Sequence, residues 1–310
     1  MNFPVLQISG LKKSFGKIVA IDGLSLDAHG GEIVGMIGAD GAGKSTTMRI
    51  VCALIEPDAG EVRVLGFDPV KQAGQVKEHI GYMPQRFSLY PDLTVSENIR
   101  FFAELYGVSK SELREREERL MEFSRLGPFK NRPAGKLSGG MKQKLALSCT
   151  LIHTPELLIL DEPTTGVDPV SRQEFWIILR ELAESGKALL VSTPYMDEAE
   201  LCDRIIVMHR GRTLYSGAPG EMPKLLPRKI MEVVGVTSDS AHELLVNSAG
   251  ILIDRVGDRL HIMFDHPAQE AELRAKLVGG GVRMTMLAPT IEETMIHLLS
   301  HEEAHEQSAA

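Results

Sequence analysis

The nine residues GADGAGKST, Gly38 to Thr46, constrain the fold more than any other stretch of this chain. They follow the apolar run EIVGMI and lead into TTMRIVCALI, which continues with helical character. The pattern G-x-x-x-x-G-K-[ST] between a strand and a helix is a phosphate cradle. Its glycines let successive backbone N–H groups face an anion at the positive end of a helix. The loop Gly38, Ala39, Asp40, Gly41, Ala42, Gly43, Lys44, Ser45 and Thr46 is expected to hold the phosphates of a nucleotide. Lys44 reaches the terminal phosphates, and Ser45 ligates magnesium.

A second stretch supplies what such a cradle needs. LLILDEP, Leu157 to Pro163, is a buried-strand pattern with two carboxylates at its exit. Asp161 is expected to hold Mg²⁺ through water, and Glu162 to orient or deprotonate an attacking water. ALLVS follows after the helical segment VSRQEFWIILRELAESG, which makes a βαβ pattern and predicts a parallel sheet. A third element is LSGGM, Leu137 to Met141, where Ser138, Gly139 and Gly140 open a helix and offer another anion-binding end.

The rest of the chain sorts by periodicity. VLQISGL and IVAIDGLSL alternate apolar and polar residues and predict antiparallel strands, and EVRVLGF predicts another. TVSENIRFFAELYG predicts a helix opened by a capping box, Thr94 to Glu97, and SELREREERLMEFSRLG a charged helix ending near Gly127. RIIVMHRGRTLYSG predicts a hairpin turning at Arg210-Gly211. MPKLLPRK, with two prolines, marks a boundary. Beyond it the order strand, helix, hairpin, helix, strand, helix predicts a small split-βαβ domain.

The three motifs together resemble the ATP-binding-cassette (ABC) ATPases over roughly residues 5 to 220. The resemblance implies an α/β P-loop fold: a RecA-like core, an antiparallel β subdomain and a helical subdomain at about residues 86–153, all within an ATP-binding domain of residues 1–222. An accessory α+β ferredoxin-like domain, residues 223–300, and a disordered tail, 301–310, complete the expected organisation. ATP and Mg²⁺ are the implied cofactors. The family sandwiches ATP between the P-loop of one cassette and the signature loop of another, so a second cassette, in a homo- or heterodimer, is an implied partner. The usual signature is LSGGQ, and Met141 replaces its glutamine.

Other positions match the family one at a time. Phe15, in KKSFGK, falls where an aromatic stacks on adenine. Gln85, in GYMPQ, falls where a glutamine touches magnesium and links the site to the segment facing a membrane partner, here RFSLYPDLTVSENI. Asp168, in GVDP, matches a dimer-contact loop in position. APTIEETMIHLL looks like the closing helix of the accessory domain in the drug and small-molecule efflux branch. GYMPQRFSLYPDLTV, LSGGMKQKLALSCTLI and GVDPVSRQEFW resemble the first half of tandem bacterial efflux ATPases.

A second position departs from the family pattern. After LLVST the family has a histidine that contacts the γ-phosphate; here it is Pro194. Locally, Thr193 predicts an N-cap, Pro194 a first helical position, and Asp197 and Glu198 complement the helix dipole. Proline brings neither a side-chain donor nor a backbone N–H. The implied consequence is slow intrinsic turnover, as in the degenerate-site member of an asymmetric pair; the other reading is that Glu162 suffices alone.

Composition narrows the setting. The 310 residues carry a net charge of −8, which argues against a general nucleic-acid binder. Three scattered cysteines fit a reducing compartment, the start MNFPVLQISG lacks the pattern of a signal peptide, and no apolar run approaches the ~20 residues of a membrane span. The expectation is therefore an exporter subunit at the cytoplasmic face of the inner membrane, working with separate polytopic permease subunits. Two alternatives remain at this stage: a soluble ABC ATPase without a transport role, and a regulatory subunit that binds nucleotide with little hydrolysis.

Overall fold

A computed structural model describes residues 3–86, 89–236, 251–277 and 282–309. They divide into two compact units, Met1–Pro219 and Gly220–Ala310.

The first unit opens with β1 (Leu6–Phe15), β2 (Ile18–Ala28) and β3 (Ile33–Ile37), then α1 (Lys44–Val51), β4 (Ala59–Val64), α2 (Ala73–His79) and β5 (Ile80–Met83). Three helices follow: α3 (Val95–Leu105), α4 (Lys110–Phe123) and α5 (Gly139–Leu151). The unit closes with β6 (Leu157–Asp161), α6 (Pro169–Glu184), β7 (Ala188–Thr193), α7 (Met196–Ala199), β8 (Arg204–His209) and β9 (Arg212–Gly217). Strands β2-β1-β4 form an antiparallel sheet, and β5-β6-β7-β3-β8-β9 form a second sheet in which only β9 runs antiparallel. Every residue of β3, β6 and β7 is buried, as central parallel strands covered on both faces must be. A single apolar core joins Leu6, Ile8 and Ile21 of the antiparallel sheet to Met48 of α1 and to Met36, Ile159 and Leu190 of the parallel sheet.

The register of the parallel sheet brings its strand ends to one edge. Ile37 pairs with Thr193, Ser192 with Asp161, and Leu160 with Met83. The loops leaving β3, β7, β6 and β5 therefore emerge side by side, at the carboxyl ends where open α/β sheets bind ligands.

Helices α3, α4 and α5 share their own core of Val95, Ile99, Met121, Leu145 and Cys149. Thr94 and Ser109 cap α3 and α4 with reciprocal boxes closed by Glu97 and Glu112. The second helix ends at Phe123 rather than near Gly127, because Arg125 takes a left-handed conformation at φ 58°.

The second unit holds β10 (Lys229–Val234), β11 (Leu252–Val256), β12 (Arg259–Phe264), α8 (Pro267–Lys276), β13 (Arg283–Leu287) and α9 (Ile291–Ala309). The antiparallel order β11-β12-β10-β13 is that of a split-βαβ sheet. Along β10, Met231 and Val233 face one apolar cluster while Ile230 faces another, the two-residue period of a sheet covered on both sides. The helix expected at SAHELLVNSA lies outside the described residues. The tail expected to be disordered from residue 301 is instead a continuation of α9, whose helical backbone runs to Ala309. Thr290 and Glu293 anchor its start: Glu293 accepts from the Thr290 amide at 2.8 Å and pairs with His261 at 2.9 Å.

Candidate nucleotide site

The P-loop is built around a buried cation. Lys44 is 4% exposed, and its Nζ donates to the carbonyls of Gly38 at 2.6 Å and Ala39 at 3.1 Å. No carboxylate pairs with it among the described residues. An ammonium held among carbonyl oxygens without a counter-charge fits an anionic ligand. Gly43, which precedes α1, sits at φ 109°, and a Cβ there would lie 2.4 Å from the Ala20 carbonyl. Only glycine gives the loop this shape.

Ser45 and Asp161 are brought together across the sheet. The Ser45 hydroxyl donates to Oδ1 of Asp161 at 3.1 Å, and the Ser192 hydroxyl donates to the same oxygen at 2.7 Å. A hydroxyl and a carboxylate side by side fit a hard cation that takes most of its oxygen ligands from phosphates and water. Ser192 also accepts the Glu162 amide, at 2.9 Å. It thus holds in place both Asp161, the last residue of β6, and Glu162 after it. Sequence reading missed it, since a serine ending an apolar strand carries no distinguishing pattern.

Glu162 is 8% exposed and has φ 50°, an uncommon conformation for a side chain of its size. Its Oε2 accepts from Gln85 Nε2 at 2.9 Å and from Thr165 Oγ1 at 3.2 Å. Asp40 to Thr46, Gln85 and Glu162 line one cavity of about 390 Å³ together with Ile18 and Ala20. Phe15 is not part of the lining. It pairs with Ile18 in the β1–β2 hairpin, half exposed, with Lys13 Nζ 5.4 Å from the ring centroid. An exposed ring beside the mouth of the cavity suits stacking on a base.

The structure corrects the local reading of Pro194. The helix begins at Met196 with Tyr195 as its N-cap, so Thr193 is not the cap and Pro194 is not the first helical residue. Thr193 remains in β7, paired with Ile37, since a residue before proline is held in the extended region. Pro194 is exposed at the strand end.

The signature segment lies elsewhere on the unit. Ser138 caps α5 by accepting from the Met141 amide at 3.3 Å, and Ser138 and Gly139 are exposed. None of Ser138, Gly139 and Gly140 lines the P-loop cavity of the same chain. The Met141 side chain packs on the core of α3, α4 and α5. A Cβ on Gly140 would lie 2.4 Å from Cβ of Ser171, so this loop is seated directly on α6. Asp168 caps α6 by accepting from the Ser171 amide at 3.0 Å, and that bond holds its carboxyl below the usual range.

The ABC transporter family model matches residues 21–165. The Nod factor export ATP-binding protein I of Rhizobium sp. (strain N33) is 35% identical over 305 residues, covering 97% of this chain and 99% of that protein. The chain belongs to the ABC transporter family. Its cassette is the ATP-binding and ATP-hydrolysing domain of that family, with Mg²⁺ as the accompanying ion. The probable multidrug ABC transporter ATP-binding protein YbhF of Escherichia coli (strain K12) is 48% identical over 221 residues, which are 71% of this chain but 38% of that protein. The chain thus spans well under half the length of that relative. Among solved structures, a dimeric post-hydrolysis state of the ATP-binding cassette MJ0796, bound to ADP and Pi, matches with a TM-score of 0.62 at 27% identity, covering 69% of this chain and 98% of that one.

Proposed function

We propose that this chain is the ATP-binding subunit of an exporter, and that it hydrolyses ATP·Mg²⁺ to drive efflux through separate membrane subunits. The observation that carries the ATPase reading is the buried Lys44 ammonium beside Ser45, Asp161, Glu162 and Gln85 at one sheet edge. Lys44 and the loop amides bind the terminal phosphates, Ser45 and Asp161 hold the Mg²⁺ that neutralises their charge, and Glu162 orients the attacking water. The export reading is supported by the relatives, which are named for multidrug transport and Nod factor export.

The membrane subunits are expected beside Gln85. A groove of about 390 Å³ there is lined by Gln85, Arg86, Leu89, Pro91, Lys142 and Gln143. Exposed Tyr90, between Leu89 and Pro91 of its lining, packs its ring against Phe101 at a tilt of 59°, with centroids 4.5 Å apart. Phe87 and Ser88, within the expected coupling segment, lie outside the described residues. Among the described residues, no helix is long and apolar enough to cross a membrane, which agrees with permeases on other chains. Peripheral attachment at the cytoplasmic face of the inner membrane follows from this reading.

The second cassette is expected to complete the site, since Ser138 and Gly139 stand exposed and, with Gly140, line no part of the P-loop cavity of their own chain. Pro194 favours an asymmetric pair in which this chain's P-loop forms the slower site. Calorimetric titration with ATP·Mg²⁺ tests the core of the proposal: the wild type binds and Lys44→Ala does not. Equal affinity in the two proteins overturns it.

A further inference from the structure

Glu198 does not line the nucleotide cavity and takes no part in the chemistry above, yet it is 2% exposed. Its Oε1 accepts from the Thr164 hydroxyl at 2.7 Å and from Nε of Arg172 at 3.1 Å. Its Oε2 accepts from the Thr193 hydroxyl at 2.5 Å. Those three donors come from three separate segments. Thr164 is two residues beyond Glu162. Thr193 is the last residue of β7, and its hydroxyl also accepts the Tyr195 amide at 3.1 Å, which brackets Pro194. Arg172 stands in the first turn of α6, next to Ser171, the seat of Gly140.

Arg172 is fixed from several sides. Its Nη2 donates to Asp197 at 2.9 and 3.1 Å, and its guanidinium lies 4.0 Å from the Tyr195 ring centroid. A buried carboxylate with one guanidinium and two hydroxyl donors is fully satisfied and has little freedom to shift alone. Thr164, Thr193 and Arg172 must therefore move with it.

We propose that Glu198 is a positioning residue. It locks the Thr193–Pro194 strand end and the loop after Glu162 to the start of α6, so that a change at this chain's P-loop site is carried to the seat of its own signature loop. The inference rests on the ATP-site reading above and adds a direction of coupling to it. In a sandwich of two cassettes, one chain's signature loop serves the nucleotide held by the other. Glu198 would then link the two composite sites through a single chain.

The chain contains one tryptophan, and it reports on this relay. Trp176 is buried on α6, one turn beyond Arg172. The experiment follows ATP·Mg²⁺ binding by calorimetry, Trp176 emission during the same titration, single-turnover hydrolysis and the melting temperature. The variants are Glu198→Gln, Arg172→Lys and the double variant Glu198→Gln/Arg172→Met.

Both single variants are expected to bind ATP within about three-fold of wild type, because neither residue lines the P-loop cavity. Hydrolysis is expected to fall by ~10–100-fold, the scale of a small misplacement of reacting groups, and the emission response to be lost. The double variant removes the buried carboxylate charge and the partly buried guanidinium that pairs with it. It is expected to regain the melting temperature without regaining hydrolysis or emission. Recovery of hydrolysis together with stability would reduce Glu198 to a structural clamp and overturn the proposal. So would a wild-type rate and emission response in either folded single variant, or a wild type that binds ATP with Trp176 silent. A wild type that fails to bind ATP refutes the site reading itself.

Discussion

Gln85 donates to the carboxylate of Glu162 across 2.9 Å, from the segment that follows β5 to the end of β6. The group expected to orient the water is thus held by the segment that leads toward α3 and the proposed membrane-facing groove. Removing the amide takes away one of the two donors to Oε2 of Glu162, leaving that from Thr165, and does not touch the Lys44 contacts of the P-loop. Gln85→Ala is therefore expected to lower kcat by ~10–100-fold with KM for ATP changed only a few-fold, since positioning is lost and phosphate binding is not. Initial rates over an ATP·Mg²⁺ titration check this. An unchanged kcat with a raised KM would place Gln85 in binding instead.

The two signature glycines are expected to differ in what they tolerate. A methyl group on Gly140 would meet Ser171 at 2.4 Å, whereas one on Gly139 has the Gly166 carbonyl at 3.7 Å as its nearest neighbour. Gly140→Ala is expected to destabilise the fold by about 1–3 kcal/mol, the usual cost of overpacking. Ser171→Gly in the same chain should recover most of it. Gly139→Ala should leave the melting temperature unchanged and show its effect only on assembled ATPase activity. Thermal unfolding of the four proteins decides the matter, and equal destabilisation by the two alanines would contradict the seating of Gly140.

The three thiols make stability fall at alkaline pH. Burial pushes Cys202 up to about 12, with Asp203 adding to it, and raises Cys149 and Cys52 as well. Above pH ~9 the unfolded chain has lost these protons and the folded chain keeps them, so the unfolded state binds fewer protons and stability declines as pH rises. Each thiol contributes a slope of about 1.4 kcal/mol per pH unit; for Cys202 the window runs from pH ~9 to the folded value. Urea midpoints at several pH values above 9 should show the decline, and Cys202→Ala should make it shallower by one thiol's share. An unaltered slope in that variant would mean that the thiol is open to solvent.

Local signals made the site readable in the sequence, and nonlocal ones hid the remainder. Asp161 and Glu162 stand at the end of an apolar strand, and Lys44 and Ser45 open the helix that follows a glycine-rich loop after another. The strand β5 and the helix α2 before it escaped notice, because Ile80–Met83 is too short to show a period and owes its place to pairing with Leu157–Leu160. Thr193 reads as a helix cap because threonine, proline and two acids follow the usual order. Its hydroxyl is in fact bonded to Glu198, which lies 34 residues from Thr164, the other hydroxyl donor of that carboxylate. Gly140 shows the same limit: the pattern marks an anion site, and the contact with Ser171 that also demands glycine becomes visible only in the fold.

Pro194 stands where the resemblance implies a histidine, and its surroundings let that difference be tested cleanly. It is exposed, and Thr193 and Tyr195 on either side are held by the Thr193 hydroxyl. A side chain placed there enters solvent at the strand end, so Pro194→His adds a donor without disturbing the core. If slow turnover follows from a missing γ-phosphate contact, the histidine variant should hydrolyse ATP up to ~10²-fold faster, the lower range of a positioned acid–base group, with little change in ATP affinity. Replacing proline also relaxes the unfolded chain, and a loss of about 0.4–1 kcal/mol of stability is expected from that alone. Pro194→Ala separates the two effects, since it relaxes the loop and supplies no donor. A gain in single-turnover hydrolysis confined to histidine supports the missing contact. An equal gain with alanine assigns the slow rate to loop stiffness, and no gain with histidine in a folded chain means that Glu162, held by Gln85 and Thr165, already suffices.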